Sequence, residues 1–135
     1  MNSTQDAEEF VRQWLAMLDT KAPVEAFLKY LPDGDFEQWS YPEMEIKNVE
    51  HLKAFFAQAW GMIKRQTNAV THLDASAVAG GRFQVEANAQ WSATTVQDQS
   101  LSRALHYSFT VGPGASMHDP SAVYPKIYRY KMTRP

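Results

Sequence analysis

The stretch that decides the fold is VTHLDASAVAGGRFQVEANAQWSATTV, residues 70–96. Polar and apolar residues alternate along its second half, and the pair Gly80-Gly81 separates that half from a first run at 70–79. Alternation is the pattern of a strand with one buried face, and a glycine pair between two such runs is typical of a β-hairpin. The stretch therefore predicts two long antiparallel strands.

Outward from this hairpin, the chain changes from helical to strand patterns. Three segments with an apolar stripe precede it: a helix at 10–18, a second helix that begins at Pro23, and a third that Asn48 caps and that runs to Ile63. Short strands are predicted at 36–41 and 44–47, and two long ones at 101–111 and 123–132. This order predicts an α+β fold in which three N-terminal helices pack on the concave face of a strongly curved, mixed or antiparallel sheet. A chain of 135 residues is near the commonest domain size, so we expect one domain, 1–135.

The composition excludes several classes of protein. Lys and Arg total 13 against 15 Asp and Glu, without a basic cluster, so we expect no nucleic-acid partner. The chain has no cysteine, which removes disulfides, thiol nucleophiles and thiolate metal sites. The polar, acidic stretch 1–9 does not resemble a signal peptide, and no apolar stretch approaches the roughly 20 residues that cross a bilayer. We therefore expect a soluble, cytoplasmic protein without a membrane partner.

His72 and Asp74 are the tentative catalytic residues. A two-residue turn at Gly80-Gly81 places both opposite alanines of the next strand, on the apolar face. A one-residue bulge would instead turn both outward. On the inner face, the carboxylate would orient the imidazole for general base catalysis. The alternative is a purely structural pair at the mouth of the sheet.

The pattern of the third long strand supports two registers. A symmetric turn at Asp98-Gln99 puts His106 on the buried face, whereas apolar alternation buries the opposite set, which includes Tyr107 and Arg103. Both arguments hold if helices cover one face and a second subunit covers the other. The pattern therefore favours a homodimer formed through the sheet.

Aromatic residues on several elements predict a pocket with apolar walls, although single aromatics more often fill a core. The candidate lining residues are Trp14, Trp39, Tyr41, Phe56, Trp60, Trp91, His106 and Tyr128. No zinc-type His-Glu-x-x-His spacing, dinucleotide-binding glycine loop or Gly-x-Ser-x-Gly occurs. We therefore expect a small apolar ligand, no metal and no cofactor.

The order of elements resembles the nuclear transport factor 2-like superfamily, which includes the SnoaL-like polyketide cyclases, ketosteroid isomerases and scytalone dehydratases. The resemblance covers Glu8 to Met132, and its local cues are DGDF at 33–36, Asn48, VTHLD at 70–74 and KIYRY at 126–130. It implies a cone-shaped, cystatin-like α+β fold. The catalytic residues of these enzymes match poorly: Trp14 stands where the isomerases carry a tyrosine. His72, His106, Tyr41 and Asp74 loosely match the scytalone dehydratase set.

Three functions follow as hypotheses. The first is a small-molecule-binding protein of this superfamily. The second is a cofactor-free lyase or isomerase in which His72 and Asp74 perform acid–base chemistry on an apolar cyclic substrate. The third is a protein-interaction module that uses the open sheet face.

Overall fold

A computed structural model describes residues 3–115 and 123–135. Helix α1 spans Thr4–Asp19 and begins at Ser3, whose Oγ accepts a hydrogen bond from the Asp6 amide at 3.1 Å. Helix α2 spans Val49–Met62 and begins at Asn48, whose Oδ1 accepts from the His51 amide at 3.0 Å. Both starts follow the preference for a side-chain oxygen at the N-cap. Within the described residues, no helix is long and apolar enough to cross a membrane.

The second predicted helix is instead two short 3-10 helices, Val24–Ala26 and Leu28–Tyr30. Pro32 explains why a regular helix does not continue, because a proline disfavours the helical conformation of the residue before it. The segment still buries Phe27 and Leu31, so the predicted apolar stripe packs as expected.

The six strands form one mixed sheet with the order β2-β1-β6-β5-β4-β3. The strands are β1 Gln38–Tyr41, β2 Met44–Glu45, β3 Ile63–Ala77, β4 Phe83–Thr95, β5 Ser100–Ala115 and β6 Val123–Thr133. Only β1 and β6 pair in parallel among these described strands. The predicted α+β class and the antiparallel order of the four long strands are confirmed. The predicted loop at 112–122 is strand as far as Ala115, and its remainder, with His118 and Asp119, lies outside the described residues.

Strand β3 begins earlier than the sequence predicted. Helix α2 ends at Met62, one residue before the predicted end, and β3 begins at Ile63 instead of Val70. Gly61 weakens the helix end, and pairing with β4 begins directly at Ile63. The earlier start adds residues 63–69 to the sheet.

The β3–β4 hairpin differs from the predicted one by a single residue. Its turn has three residues, Ala79–Gly81, and the Val78 amide donates to the Arg82 carbonyl at 2.9 Å. Because a one-residue shift exchanges the two faces of a strand, the side chains of 72 and 74 turn outward. A bulge at Thr71, between Val70 and His72, restores the inward direction for the first half of β3.

The β4–β5 turn also differs from the symmetric one. Thr94 pairs with Ser100, so a longer loop with Asp98 at a positive φ of 62° connects the strands. The Thr95 hydroxyl accepts hydrogen bonds from the Gln97 and Gln99 amides at 3.3 and 3.1 Å and stabilises this loop. Apolar alternation thus predicted the correct face, because the sheet buries Leu105, Tyr107, Phe109 and Val111.

The core lies between α1 and the concave face of the sheet. Helix α1 packs on β3, β4 and β5, and it buries Phe10, Val11, Trp14 and Leu15. The bulge in β3 bends and twists its strand, which helps to curve the sheet around the helices.

Candidate ligand pocket

A half-open cavity of about 320 Å³ lies between α2 and the concave face of the sheet. Its walls come from both helices and from every strand except β2. The lining residues are Leu18, Tyr41, Phe55, Phe56, Ala59, Trp60, Ile63, Gln66, Asn68, Trp91, Leu101, Arg103, Leu105, Tyr107, Tyr130, Met132 and Arg134. This volume lies at the small end of the range for ligand pockets, roughly 300–1,000 Å³.

Stacked rings of α2 form one wall of the cavity. Phe56 stacks on Trp60 with ring centres 5.0 Å apart, and Phe55 stacks on Tyr41 at 4.3 Å. The Trp60 indole N–H donates to the Ala22 carbonyl at 3.0 Å. Packing and this hydrogen bond hold the wall in place, so the cavity is preformed.

Gln66 fixes the opposite wall. Its Oε1 accepts from the Trp91 indole N–H at 2.8 Å, and its Nε2 donates to the Leu18 carbonyl at 2.7 Å. Both ends of the amide are therefore occupied within the protein. Gln66 orients the Trp91 ring and links β3 with β4 and the end of α1.

A chain of hydrogen bonds runs from the end of α1 into the cavity. One carboxylate oxygen of Asp19 accepts from the Asn68 amide at 2.9 Å and from Asn68 Nδ2 at 2.8 Å. Asn68 Oδ1, directed away from Asp19, accepts from the Tyr107 hydroxyl at 2.6 Å. Because the Tyr107 proton is used in this bond, the lone pairs of its oxygen are left to accept a bond from a ligand.

Tyr41 presents a second polar group. Its oxygen accepts from the Trp39 indole N–H at 3.3 Å. A hydrogen bond also joins the Tyr41 and Tyr130 hydroxyls, so the two rings share one polar point on the cavity wall.

All three tyrosines remain protonated at neutral pH. Burial raises the pKa of Tyr41 to about 12, a shift that its two hydrogen bonds partly offset. Burial, and then the neighbouring Tyr41, raise the pKa of Tyr107 and of Tyr130 further. The cavity thus carries neutral hydroxyls that donate and accept hydrogen bonds.

Among the described residues that line the cavity, only Arg103 and Arg134 are charged. Arg103 is exposed, and its Nη1 donates to the Ser102 carbonyl at 2.8 Å. The described lining includes no carboxylate and no imidazole. Within the described residues, no group of three or more His, Asp or Glu side chains is placed to hold a metal ion.

Half of the predicted pocket residues line the cavity. Tyr41, Phe56, Trp60 and Trp91 do so. Trp14 and Trp39 are instead core residues, 1% and 0% exposed. Trp39 still acts on the pocket, because its indole N–H holds the Tyr41 oxygen.

Two other predicted pocket residues lie outside the cavity. On the outer face of the sheet, His106 Nδ1 lies 2.7 Å from Asn88 Oδ1 and its Nε2 lies 2.6 Å from Glu86 Oε2. The Tyr128 ring stacks with the Arg82 guanidinium at 3.8 Å. The longer β4–β5 turn explains the position of His106, because it gives this strand the register set by apolar alternation.

The predicted inward placement of His72 and Asp74 is wrong. Both are exposed and pair with Asn88 and Glu86 on the polar outer face. The reason is the three-residue turn, which shifts the register by one residue. No described contact connects either side chain with the cavity, so acid–base chemistry there loses its candidate residues.

Sequence reasoning missed the polar lining groups Gln66, Asn68 and Arg134, together with Asp19 behind them. Arg103 was identified within the apolar set of its strand, and that pattern is the signal for its inward position. Gln66 and Asn68 share a face with Val70 by simple alternation, but the strand was predicted to begin only at Val70. No signal in the sequence pairs Asp19 with Asn68, 49 residues apart.

Comparison of the coordinates with solved structures gives similar chains across nearly the whole length. A nuclear transport factor 2-like superfamily protein from Salmonella enterica is 12% identical, with a TM-score of 0.80 over 97% of this chain and 89% of that chain. An uncharacterized protein with a cystatin-like fold from Caulobacter vibrioides is 12% identical, with a TM-score of 0.71 over 98% and 87%. A hexachlorocyclohexane dehydrochlorinase from Novosphingobium barchaimii is 12% identical, with a TM-score of 0.70 over 96% and 90%.

No protein-family model and no curated protein matches the sequence. Likeness at 12% identity establishes the fold and not the activity. It confirms that the chain has the cone-shaped, cystatin-like fold of the nuclear transport factor 2-like superfamily.

Proposed function

We propose that this protein binds a small, ring-containing apolar molecule in the cavity between α2 and the sheet. The observation that carries the proposal is the preformed aromatic wall. Trp60 and Trp91 are each held by a hydrogen bond to the protein, at 3.0 and 2.8 Å, and flank an open volume of about 320 Å³. Ordered aromatic walls with few polar groups are typical of small-molecule sites.

The polar groups of the cavity suit recognition better than acid–base catalysis. A general base needs a group that accepts a proton near neutral pH, such as a carboxylate or an imidazole. The side-chain amides of Gln66 and Asn68 do not titrate, and the tyrosine pKa values lie far above neutral. The one nearby carboxylate, Asp19, is engaged by Asn68.

The fold itself does not decide between binding and catalysis, since one of the similar structures is a dehydrochlorinase. What favours binding is the chemistry of the lining residues in this chain. The Tyr107 oxygen has lone pairs to accept a hydrogen bond, and the Tyr41 hydroxyl is a second polar group of the lining. A ligand with a ring and one hydroxyl or carbonyl oxygen satisfies this arrangement.

The test is the fluorescence of the neutral probe N-phenyl-1-naphthylamine, which rises when the probe enters an apolar site. Ala59 lines the cavity, so Ala59→Phe fills it and should reduce probe binding at least about tenfold. Ala57→Phe is the matched control, because Ala57 is exposed on the same helix. Equal binding by the two variants would place the probe elsewhere and contradict the proposal.

A further inference from the structure

We infer that the ligand of this cavity is a small aromatic carboxylate, with its ring between the aromatic walls and its anion on Arg103 and Arg134. The inference rests on the proposed function and adds the chemical class of the ligand. Its basis is the placement of two guanidinium groups at one end of the cavity. Neither forms an ion pair with a described residue, and the other described lining residues carry no charge.

Both arginines lie among the residues that line the cavity. Arg103 pairs with Trp91 across β4 and β5, and paired residues share a face, so Arg103 lies beside the indole on the concave side. Arg134 follows the end of β6 at Thr133 and lines the same cavity as Tyr130 and Met132. Thr133, the residue before it, pairs with His106, three residues along β5 from Arg103.

Burial along these strands shows which end of the cavity is open. On β5, Tyr107 and Leu105 are buried, whereas Arg103 is exposed. On β6, Tyr130 is buried and Met132 is half-buried, and Arg134, just after the end of the strand, is exposed. The cavity is therefore apolar and hydroxyl-lined in its depth and cationic at its mouth, which is the arrangement that an amphiphilic anion requires.

Neither of the two arginines forms an ion pair with a carboxylate of the described residues. The ion pairs in residues 3–115 and 123–135 use Glu37 with Arg82 and Arg129, Glu86 with His106, and three lysine pairs. Neither Arg103 nor Arg134 appears in these pairs. The bond from Arg103 to the Ser102 carbonyl holds one nitrogen and leaves further N–H groups for a carboxylate, which arginine binds in a planar, bidentate manner.

The size and lining of the cavity suit a ring acid with one anionic group. About 320 Å³ accommodates a bicyclic ring system, and the charged side chains of the described lining are two arginines at the mouth. The whole chain has a net charge of -2, whereas the two arginines make the mouth of the cavity positively charged. This local positive charge favours the binding of anions at the cavity.

The experiment compares 2-naphthoate with 2-naphthamide, which share one ring system and differ in charge, by isothermal titration calorimetry. The wild-type protein should bind the naphthoate more tightly. In the variant Arg103→Gln/Arg134→Gln, naphthoate binding should weaken at least about tenfold, while amide binding changes less than about twofold. The control Arg12→Gln/Arg65→Gln removes the same net charge from two exposed positions outside the cavity and should leave both affinities unchanged.

A second measurement does not depend on a folded variant. For the wild type, raising the ionic strength from about 0.01 M to about 0.15 M should weaken naphthoate binding and leave amide binding unchanged, because salt screens charge pairs at a solvent-open mouth. Equal binding of both probes, insensitive to salt and to the arginines, would overturn the carboxylate inference and leave the proposed ring-binding function standing. Failure of both probes to bind would overturn both.

Discussion

Removal of the Asp19 carboxylate is the sharpest test of how the cavity is organised. Asp19 ends α1 and accepts two bonds from Asn68, at 2.9 and 2.8 Å, while Asn68 is only 9% exposed. In Asp19→Ala, the backbone and side-chain donors of Asn68 lose their acceptor in a nearly dry environment. The side-chain amide is then free to rotate, and the Tyr107 hydroxyl loses its fixed acceptor.

The expected cost follows from the two lost bonds. A buried donor left without a partner costs about 1–3 kcal/mol, and a bond to a charged group lies in the upper half of this range. Asp19 itself is half-buried, so water replaces part of the interaction. We therefore expect Asp19→Ala to lower the free energy of unfolding by about 2–4 kcal/mol.

Urea unfolding measures this change as a shift in the midpoint at constant slope. The control is Asp35→Ala, since Asp35 is exposed in a loop and should change stability by less than about 0.5 kcal/mol. The double variant with Asn68→Ala should cost less than the sum of the two single changes, because both remove the same bonds. A loss for Asp19→Ala no greater than that of the control would refute the role of the chain that links Asp19, Asn68 and Tyr107.

Four further predictions concern other parts of the molecule. Burial raises the pKa of Tyr41 from 10.0 to about 12, so the hydroxyl loses its proton at a lower pH in the unfolded chain than in the folded protein. The free energy of unfolding should therefore fall by about 1.4 kcal/mol per pH unit per such tyrosine above pH 10, which urea unfolding at increasing pH measures. His72→Ala should leave probe binding and stability within about 0.5 kcal/mol of wild type in the fluorescence and urea assays, and a large loss of probe binding would contradict its outward position. Gly114→Ala should destabilise the protein by about 1–3 kcal/mol, because the new Cβ would overlap Lys126 Cγ. In the matched variant Gly61→Ala the new Cβ meets no atom within 4 Å, so it should stabilise α2 by up to about 1 kcal/mol, and thermal unfolding measures both changes. Dimerisation through the outer sheet face stays a prediction, and sedimentation showing only monomer at micromolar concentration would refute it.

The dimer was predicted because a second subunit would cover the apolar side chains of β5 that the helices leave exposed. In the observed register, Leu105, Tyr107 and Phe109 are buried within the chain and need no such cover. The outer face instead carries a hydrogen-bonded network in which Gln84 donates to Ser108 at 2.7 Å. A dimer on this face would be polar and more sensitive to salt than an apolar one.

The sequence predicted those features that depend on local periodicity. The apolar stripes of α1 and α2 and the alternation of β4 each repeat over several residues, so errors at single positions do not change the result. The aromatic wall followed from the same logic, since Trp60 lies on the striped face of α2 and Trp91 on the apolar face of β4. These two residues line the cavity as expected.

Features that depend on one residue in a turn were not predictable in this way. The third residue of the loop Ala79–Gly81 leaves no mark in the composition of the strands, yet it decides the face of His72 and Asp74. The end of α2 was predicted one residue too late, because Ile63 continues the apolar stripe of the helix but begins β3. Long-range partners such as Asp19 and Asn68 depend on the packing of α1 against β3, which no local pattern records.

The bulge at Thr71 decides which side chains of β3 face the cavity, and it therefore bears on the proposed function. Before it, β3 directs Gln66 and Asn68 to the concave face, and after it, the strand directs His72 and Asp74 to solvent. The extra residue thus places the amides in the cavity, whereas the three-residue turn keeps the titratable pair outside it. Amides hold a fixed donor and acceptor pattern at every pH, whereas a histidine–aspartate pair would supply a base. The turn and the bulge together therefore account for the amides of the cavity, which is the chemistry that the proposed ligand binding uses.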